Sequence, residues 1–229
     1  MSKLIVIEGL DGSGKSTQLK MLRAYLEQKN VKYKYIHFPR LEEGVFGDLI
    51  ARFLRGEFGS LEQVNPYLVA LLYAGDRSDV AQQVKQWIQD DYLVVFDRYV
   101  HSNIAYQCAK LTCAKEIEKL HAWILNLEFE YYKIPMPDLS VFLHVPISFV
   151  KSRLFAERQG EDRSYLQGAK DIHESSMDFQ QRVEDEYLRI AGSDDTYQIL
   201  NCIGASETML SADSIHANLI TLLKQNSIL

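Results

Sequence analysis

Leu4-Ile5-Val6-Ile7-Glu8-Gly9-Leu10-Asp11-Gly12-Ser13-Gly14-Lys15-Ser16-Thr17 decides the fold of this chain. An apolar run of strand character leads into a complete G-x-x-x-x-G-K-[ST] loop. The loop in turn leads into apolar residues at Leu19, Leu22 and Leu26, the spacing of one helix face. Strand, glycine loop and helix in that order form a phosphate cradle. The glycines let the backbone curl so that successive N–H groups point inward at a polyphosphate, where side chains would block it. Lys15 reaches the outer phosphates as a point charge and Ser16 offers its hydroxyl to Mg²⁺. The helix beginning there adds the positive end of its dipole.

Length and composition allow one α/β domain over residues 1–229, since 229 residues at 47% hydrophobic can bury one good-sized core. A net charge of −6 argues against a general electrostatic grip on nucleic acid or an anionic membrane. Any basic site must be local. Cys108, Cys113 and Cys202 are odd in number and lack the close pairs of a zinc site, which is the usage of reduced thiols in cytoplasm. The longest apolar stretches fall short of a membrane span, and Glu8 interrupts the first too early for a signal peptide. The expectation is a soluble, cytoplasmic protein with no membrane or nucleic-acid partner.

Strand-like runs recur at Leu4–Glu8, Tyr33–Phe38, Tyr92–Asp97, Leu139–Val145 and Thr196–Asn201, with amphipathic stretches between them. This alternation predicts crossovers and a five-stranded parallel sheet, with any ligand at the carboxyl ends of the strands. After the second run, Pro39 turns the chain and delivers Arg40 to that edge. There it either clamps a second phosphate or pairs with Glu42 or Glu43 in a solvated turn. The stretch Val45–Leu54 predicts a helix with Val45, Leu49, Ile50, Phe53 and Leu54 on its apolar face. Tyr73 and Arg77 stand at i, i+4 on the helix that begins near Pro66. They are either one wall and one donor of a base pocket, or a core aromatic beside a surface arginine. Tyr92-Leu93-Val94-Val95-Phe96-Asp97 is an apolar strand ending in a carboxylate, the Walker-B arrangement that places an acid beside Mg²⁺. Arg98 follows it, and Ser102, Asn103, Tyr106 and Gln107 crowd the next turns with hydrogen-bonding groups. Arg153, Arg158 and Arg163 are spread through a helix end and a Gly-containing turn, either a solvated charged face or a flap that brings positive charge onto a transferring group. A last helix, roughly Ser211–Lys224, has apolar positions Ile215, Leu219 and Leu222.

Taken together, Glu8–Thr17, Phe38-Pro39-Arg40, Ala70–Arg77, Asp97–Gln107 and Pro137-Asp138-Leu139 resemble the thymidylate kinase family, which phosphorylates dTMP with ATP. The loop alone is generic, whereas the stretch from Asp97 to Gln107 is specific. The resemblance implies a P-loop NTPase fold: a three-layer α/β/α arrangement with a helical lid at about residues 151–174. It implies ATP on Gly9, Leu10, Asp11, Gly12, Ser13, Gly14, Lys15, Ser16 and Thr17, and Mg²⁺ at Ser16 and Asp97. It also implies that Asp11 meets the sugar 3′-hydroxyl, Tyr73 stacks on thymine, Phe38 lines the base pocket, and Arg77 and Asn103 hydrogen-bond the base. Tyr106 would crowd the 2′ position and Arg98 would hold the acceptor phosphate, with Arg40, Ser102 and Gln107 completing the dTMP set. A homodimer is implied as well. The catalytic set would be Lys15, Asp97 and Arg98, joined by lid arginines drawn from Arg153, Arg158 and Arg163.

This sequence departs from the family at three places. Gly12 stands where some members carry an arginine, so that cation must come from the lid. Tyr73 stands where many have Phe, and His173 where Tyr is frequent. A phosphate acceptor with a second pKa near about 6 is already largely ionised at neutral pH and needs no strong base. A kinase acting on thymidine would need one, and has less use for so many phosphate-facing arginines. A GTP switch would carry an Asn-Lys-x-Asp guanine reader, which the sequence lacks.

Overall fold

The structure is a computed structural model and describes residues 3–155, 166, 171–174, 176–192, 194–205 and 208–229. Five strands form: β1 (Lys3–Glu8), β2 (Tyr33–His37), β3 (Leu93–Asp97), β4 (Leu139–His144) and β5 (Tyr197–Asn201). Each falls within one residue of the run that predicts it. They pair in the order β2-β3-β1-β4-β5, every neighbour parallel. β1 and β3 lie inside the sheet and are covered on both faces, which is why their sequences are unbroken apolar runs and not alternations. The register sets Ile7 opposite Asp97 and Glu8 opposite Phe142. The loop after β1, Asp97 and the chain after β2 therefore emerge side by side at one sheet edge.

The first crossover carries α1 (Lys15–Gln28), which packs on the last helix, α8 (Ala212–Gln225). The remaining crossovers carry α2 (Gly44–Leu54), α3 (Pro66–Gln89), α4 (Val100–Cys108), α5 (Ala114–Leu125), α6 (Ile147–Phe155) and α7 (Met177–Ala191). Of these, α2 packs on α3, and α4 packs on α3, α5 and α7. Right-handed crossovers put α1 and α8 on one face of the sheet and the rest on the other, the three-layer arrangement that the alternation implies. Helix starts follow local chemistry: the Asn65 side chain accepts from Tyr67 N with Pro66 at the first position of α3, and Ser176 and Ser211 cap α7 and α8.

Two helix faces differ from their expected form. On α2, Ile50, Phe53 and Leu54 are buried and Leu49 half-buried, but Val45 is 72% exposed because it sits on the first turn, beyond the core. On α8 the buried positions are Ile215, Leu219, Ile220 and Leu223, with Leu222 at the margin of the stripe. Among the described residues no helix is long and apolar enough to cross a membrane.

Gly47 holds the turn after β2 against α2. A methyl group at this position would fall well inside contact distance of the Arg40 carbonyl oxygen, a backbone atom that cannot step aside. Gly47→Ala is expected to cost about 1–3 kcal/mol, read as a lowered melting temperature. An unchanged melt would mean that the turn is free to shift.

Candidate active site

Backbone geometry builds the loop. Gly12 and Gly14 take left-handed φ of 78° and 89°, and a Cβ on Gly9 would stand 2.7 Å from Ser13 Oγ. α1 starts with no side-chain cap, so its first N–H groups remain for a ligand. The Lys15 side chain is buried along this cradle, its Nζ donating to the Leu10 carbonyl oxygen at 3.3 Å. Burial, reinforced by the nearby Arg98 charge, pushes its pKa down to about 8, against the pull of Asp97, Asp11 and Glu8. Lys15 thus loses its proton in the free protein as pH rises through about 8, and a polyphosphate, which needs the cation, binds less well above that pH. The affinity for a non-hydrolysable ATP analogue is expected to fall from pH 7 to pH 9, and Lys15→Met is expected to flatten that fall. Equal slopes in the two proteins would remove Lys15 as its source.

Beside the loop lies a charged constellation. Arg98 holds a left-handed φ of 67° at the β3–α4 junction. Its Nη2 donates to Asp11 Oδ1 at 2.6 Å and to the Tyr106 hydroxyl at 3.3 Å, and its Nη1 donates to Ser102 Oγ at 3.2 Å and the Tyr187 hydroxyl at 3.3 Å. The Tyr106 hydroxyl donates to Asp11 Oδ2 at 2.7 Å, so both Asp11 oxygens are engaged. Burial acts to raise the Asp11 pKa, but Arg98, then Lys15 and Tyr106, outweigh it and hold the carboxyl well below the usual range. Behind this layer Glu8 is fully buried. Its Oε1 accepts from the backbone N–H groups of Tyr99 (2.9 Å) and Ser102 (3.2 Å), and its Oε2 from the hydroxyls of Ser102 (2.5 Å) and Tyr187 (3.2 Å). α4 has no side-chain cap of its own. Glu8 provides one from the end of β1, and so fixes the helix that carries Ser102, Asn103 and Tyr106.

Asp97 ends β3 with Oδ2 2.9 Å from His37 Nδ1, on the neighbouring strand. Burial would raise its pKa, yet His37, Lys15 and Arg98 lower it, keeping an anion beside the loop. Its Oδ1 is buried without a hydrogen-bond partner among the described residues. Such an orphaned carboxylate oxygen, near an exposed Ser16 at the start of α1, suits the water shell or inner sphere of Mg²⁺.

Asp11, Lys15, Asp97 and Arg98 open into one cavity of about 830 Å³, whereas Glu8, Tyr187 and, of the loop, Gly9, Leu10, Ser13, Gly14 and Thr17 do not line it. Asp11, Phe38, Arg40, Tyr73, Arg77, Arg98, Ser102, Asn103, Tyr106 and Gln107, the whole set that the resemblance assigns to dTMP, line it, together with Gly12, Lys15, Ser16 and Asp97. Arg77 is 2% exposed, which excludes the surface-arginine alternative. Nor is it a free fork. Its Nε and Nη2 are bound to Glu128 at 2.5 and 2.6 Å, and Asn103 Nδ2 donates to the same carboxylate at 2.9 Å. Asn103 Oδ1 and both amide atoms of Gln107 are buried without partners among the described residues. Polar atoms of this kind cost about 1–3 kcal/mol each unless a ligand or water meets them. Arg40 is anchored twice: Nη1 on Glu43 at 2.8 Å and Nη2 on the buried Asp76 at 2.9 Å. The solvated-turn alternative thus holds for Glu43 but misses Asp76. Burial, then the Asp171 charge, holds the Tyr73 hydroxyl well above its ordinary pKa. His173 also lines the cavity, its ring 4.9 Å from that of Tyr106. Burial and the Lys110 charge push its pKa down to about 3, so it is neutral. Arg153 is exposed, lies 5.3 Å from the Phe149 ring and does not line the cavity, while Arg158 and Arg163 lie outside the described residues.

A family model described as thymidylate kinase matches residues 7–209. The chain belongs to the thymidylate kinase family. The thymidylate kinase of Mycobacterium tuberculosis is 32% identical over 188 residues, 82% of this chain and 85% of its own length. That of Plasmodium falciparum is 29% identical over 218 residues, 95% of both chains. A solved thymidylate kinase structure from Candida albicans superposes with a TM-score of 0.72 over 99% of this chain and 93% of its own, at 24% identity, and shares the fold.

Four residues with structural parts in this thymidylate kinase site are absent from the sequence reading of roles. Glu8 had a signal, a lone carboxylate closing an apolar strand. Tyr187 and Glu128 had none, because an aromatic on an amphipathic helix reads as core and one acid among several reads as a solvated face. His37 had none either, since its partner Asp97 is adjacent only through strand pairing.

Proposed function

We propose that the chain transfers the γ-phosphoryl group of ATP to dTMP, giving dTDP and ADP for dTTP synthesis. The observation that carries this reading is the Asp11–Arg98–Tyr106 constellation, set beside Lys15 in the same cavity as the aromatic and amide groups. A kinase acting on a nucleotide must hold two anions together. Lys15 and the N-terminus of α1 take the donor phosphates, and Arg98, held by Asp11, takes the acceptor phosphate while Asp11 meets the sugar 3′-hydroxyl. Tyr106 stands against the sugar and favours deoxyribose, Tyr73 stacks on the base, and Phe38 lines its pocket. Ser16 and Asp97 would hold Mg²⁺, which would supply further positive charge for the donor phosphates. Asp97 stands paired with His37 and buried, which suits a fixed anion better than a base. Lid arginines among Arg153, Arg158 and Arg163 would supply the cation that Gly12 does not.

The chain works in the cytoplasm, as one domain and as a homodimer. Support for the dimer comes from Val45 and Leu68, 72% and 61% exposed on two helices that pack together. Sedimentation of the purified protein as a monomer at micromolar concentration would refute it.

The activity is tested by ADP release with Mg²⁺ and ATP across dTMP, dUMP, UMP, dCMP, AMP and thymidine. Turnover is expected to be highest with dTMP and lowest with the ribonucleotides. Preference for thymidine would make it a nucleoside kinase, and binding without ADP release a silent module.

A further inference from the structure

Glu128 is a fully buried carboxylate that phosphate chemistry does not use. It sits on the π-helical turn Asn126–Tyr131 that continues α5, and its two oxygens accept three N–H groups, two from Arg77 and one from Asn103. The same Asn103 nitrogen donates to the Ala70 carbonyl oxygen at 3.1 Å. Both partners of that amide are pure acceptors, so Asn103 cannot turn over without setting its oxygen against a carboxylate and a carbonyl. The atom left over is an acceptor, Asn103 Oδ1, buried and unpartnered among the described residues. It belongs to a side chain that lines the cavity beside the donor-only guanidinium of Arg77.

We propose that Glu128 is a positioning residue that sets the hydrogen-bond pattern of the base pocket, one fixed acceptor beside one fixed donor, and so selects a 4-oxo pyrimidine over a 4-amino pyrimidine. Thymine and uracil carry an N3–H donor next to a 4-carbonyl acceptor, the complement of that pattern. Cytosine carries the reverse. It would place its N3 lone pair against Asn103 Oδ1 and its amino group against Arg77, leaving buried groups unpaired on both sides. The inference rests on the dTMP reading above and assigns its specificity to a residue outside the ligand's reach.

Glu128→Gln keeps the shape and replaces one acceptor by a donor, which leaves only the Ala70 carbonyl oxygen of the two acceptors on the Asn103 amide and sets a donor against the Arg77 fork. The kcat/KM preference for dTMP over dCMP is expected to fall about tenfold or more, with the KM for ATP unchanged. In an Asn103→Ala background the same replacement is expected to bring a smaller fall, the part that passes through Arg77 alone. An unchanged preference, an equal loss with both nucleotides, or full additivity would overturn the proposal. If Glu128→Gln does not fold, the wild type still decides. The side-chain amide protons of Asn103, identified in a ¹⁵N spectrum by their loss in Asn103→Ala, are expected to exchange slowly with solvent in the free protein. Fast exchange would overturn the clamp. A wild type that leaves dTMP unphosphorylated would remove the proposed activity while leaving the amide measurement standing, so the two failures are distinguishable.

Discussion

Lys15→Ala is expected to lower kcat by roughly 100- to 1000-fold, the effect of removing one fixed charge from a transferring group. The affinity for dTMP is expected to stay near that of the wild type. The asymmetry follows from position. Lys15 lies along the phosphate cradle with its Nζ on the Leu10 carbonyl oxygen, while the base end of the cavity is made by residues from β2, α3 and α4 that do not contact it. Its links to the acceptor side are electrostatic, to Arg98 and to Asp11, whose pKa it lowers as the second cation after Arg98. Lys15→Arg is not expected to rescue turnover. The Lys15 Cγ would stand 3.2 Å from a Cβ on Gly9, and this tight passage fits a slender stem ending in a point charge better than a planar fork. Steady-state turnover and calorimetric dTMP binding check both halves, and a variant turning over at the wild-type rate would refute the role of Lys15.

The two ends of the cavity differ in how much of each is legible in the sequence. At the phosphate end the chemistry is local in the chain: Gly9 to Ser16 form one loop, and Asp97 and Arg98 follow one strand. Period and motif alone therefore place these groups at the same sheet edge. At the base end the partners are distant. Arg77 and Glu128 are 51 residues apart, and Asn103 and Glu128 are 25 apart. Nothing in a helix period says that a glutamate in Leu127-Glu128-Phe129-Glu130 turns inward while its neighbour Glu130 faces solvent. The inward turn depends on a π-helical turn that local propensity does not announce. Glu8 is an intermediate case. The sequence shows a charged residue closing an apolar strand, but its role as the missing cap of α4 exists only once β1 and β3 pair. Long-range pairing also decides Arg40, whose buried partner Asp76 lies 36 residues away, where the chain offers Glu42 and Glu43 nearby.

Arg98→Met is expected to be more damaging than the loss of one phosphate contact. Arg98 is the first cation holding Asp11 ionised, and it donates to four side chains on two helices and the loop. Breaking a buried ion pair costs up to about 3–5 kcal/mol, and less here because a quarter of the Asp11 side chain is exposed. A clear fall in melting temperature is therefore expected. The larger effect is on substrate. With Arg98 gone, Asp11 faces the acceptor phosphate without the cation between them, so the site changes from attractive to repulsive. The value of kcat/KM for dTMP is expected to drop by roughly 1000-fold or more, carried by KM as well as kcat, with the affinity for ATP little altered. Adding Asp11→Asn removes the stranded charge and keeps an oxygen for the sugar. The double variant Asp11→Asn, Arg98→Met is then expected to bind dTMP about tenfold better than Arg98→Met alone, although Asp11→Asn by itself weakens the wild type. Such a reversal of sign separates a charge pair from two independent contacts. If the two replacements simply add, Arg98 acts on the phosphate alone and the electrostatic account of the constellation is wrong.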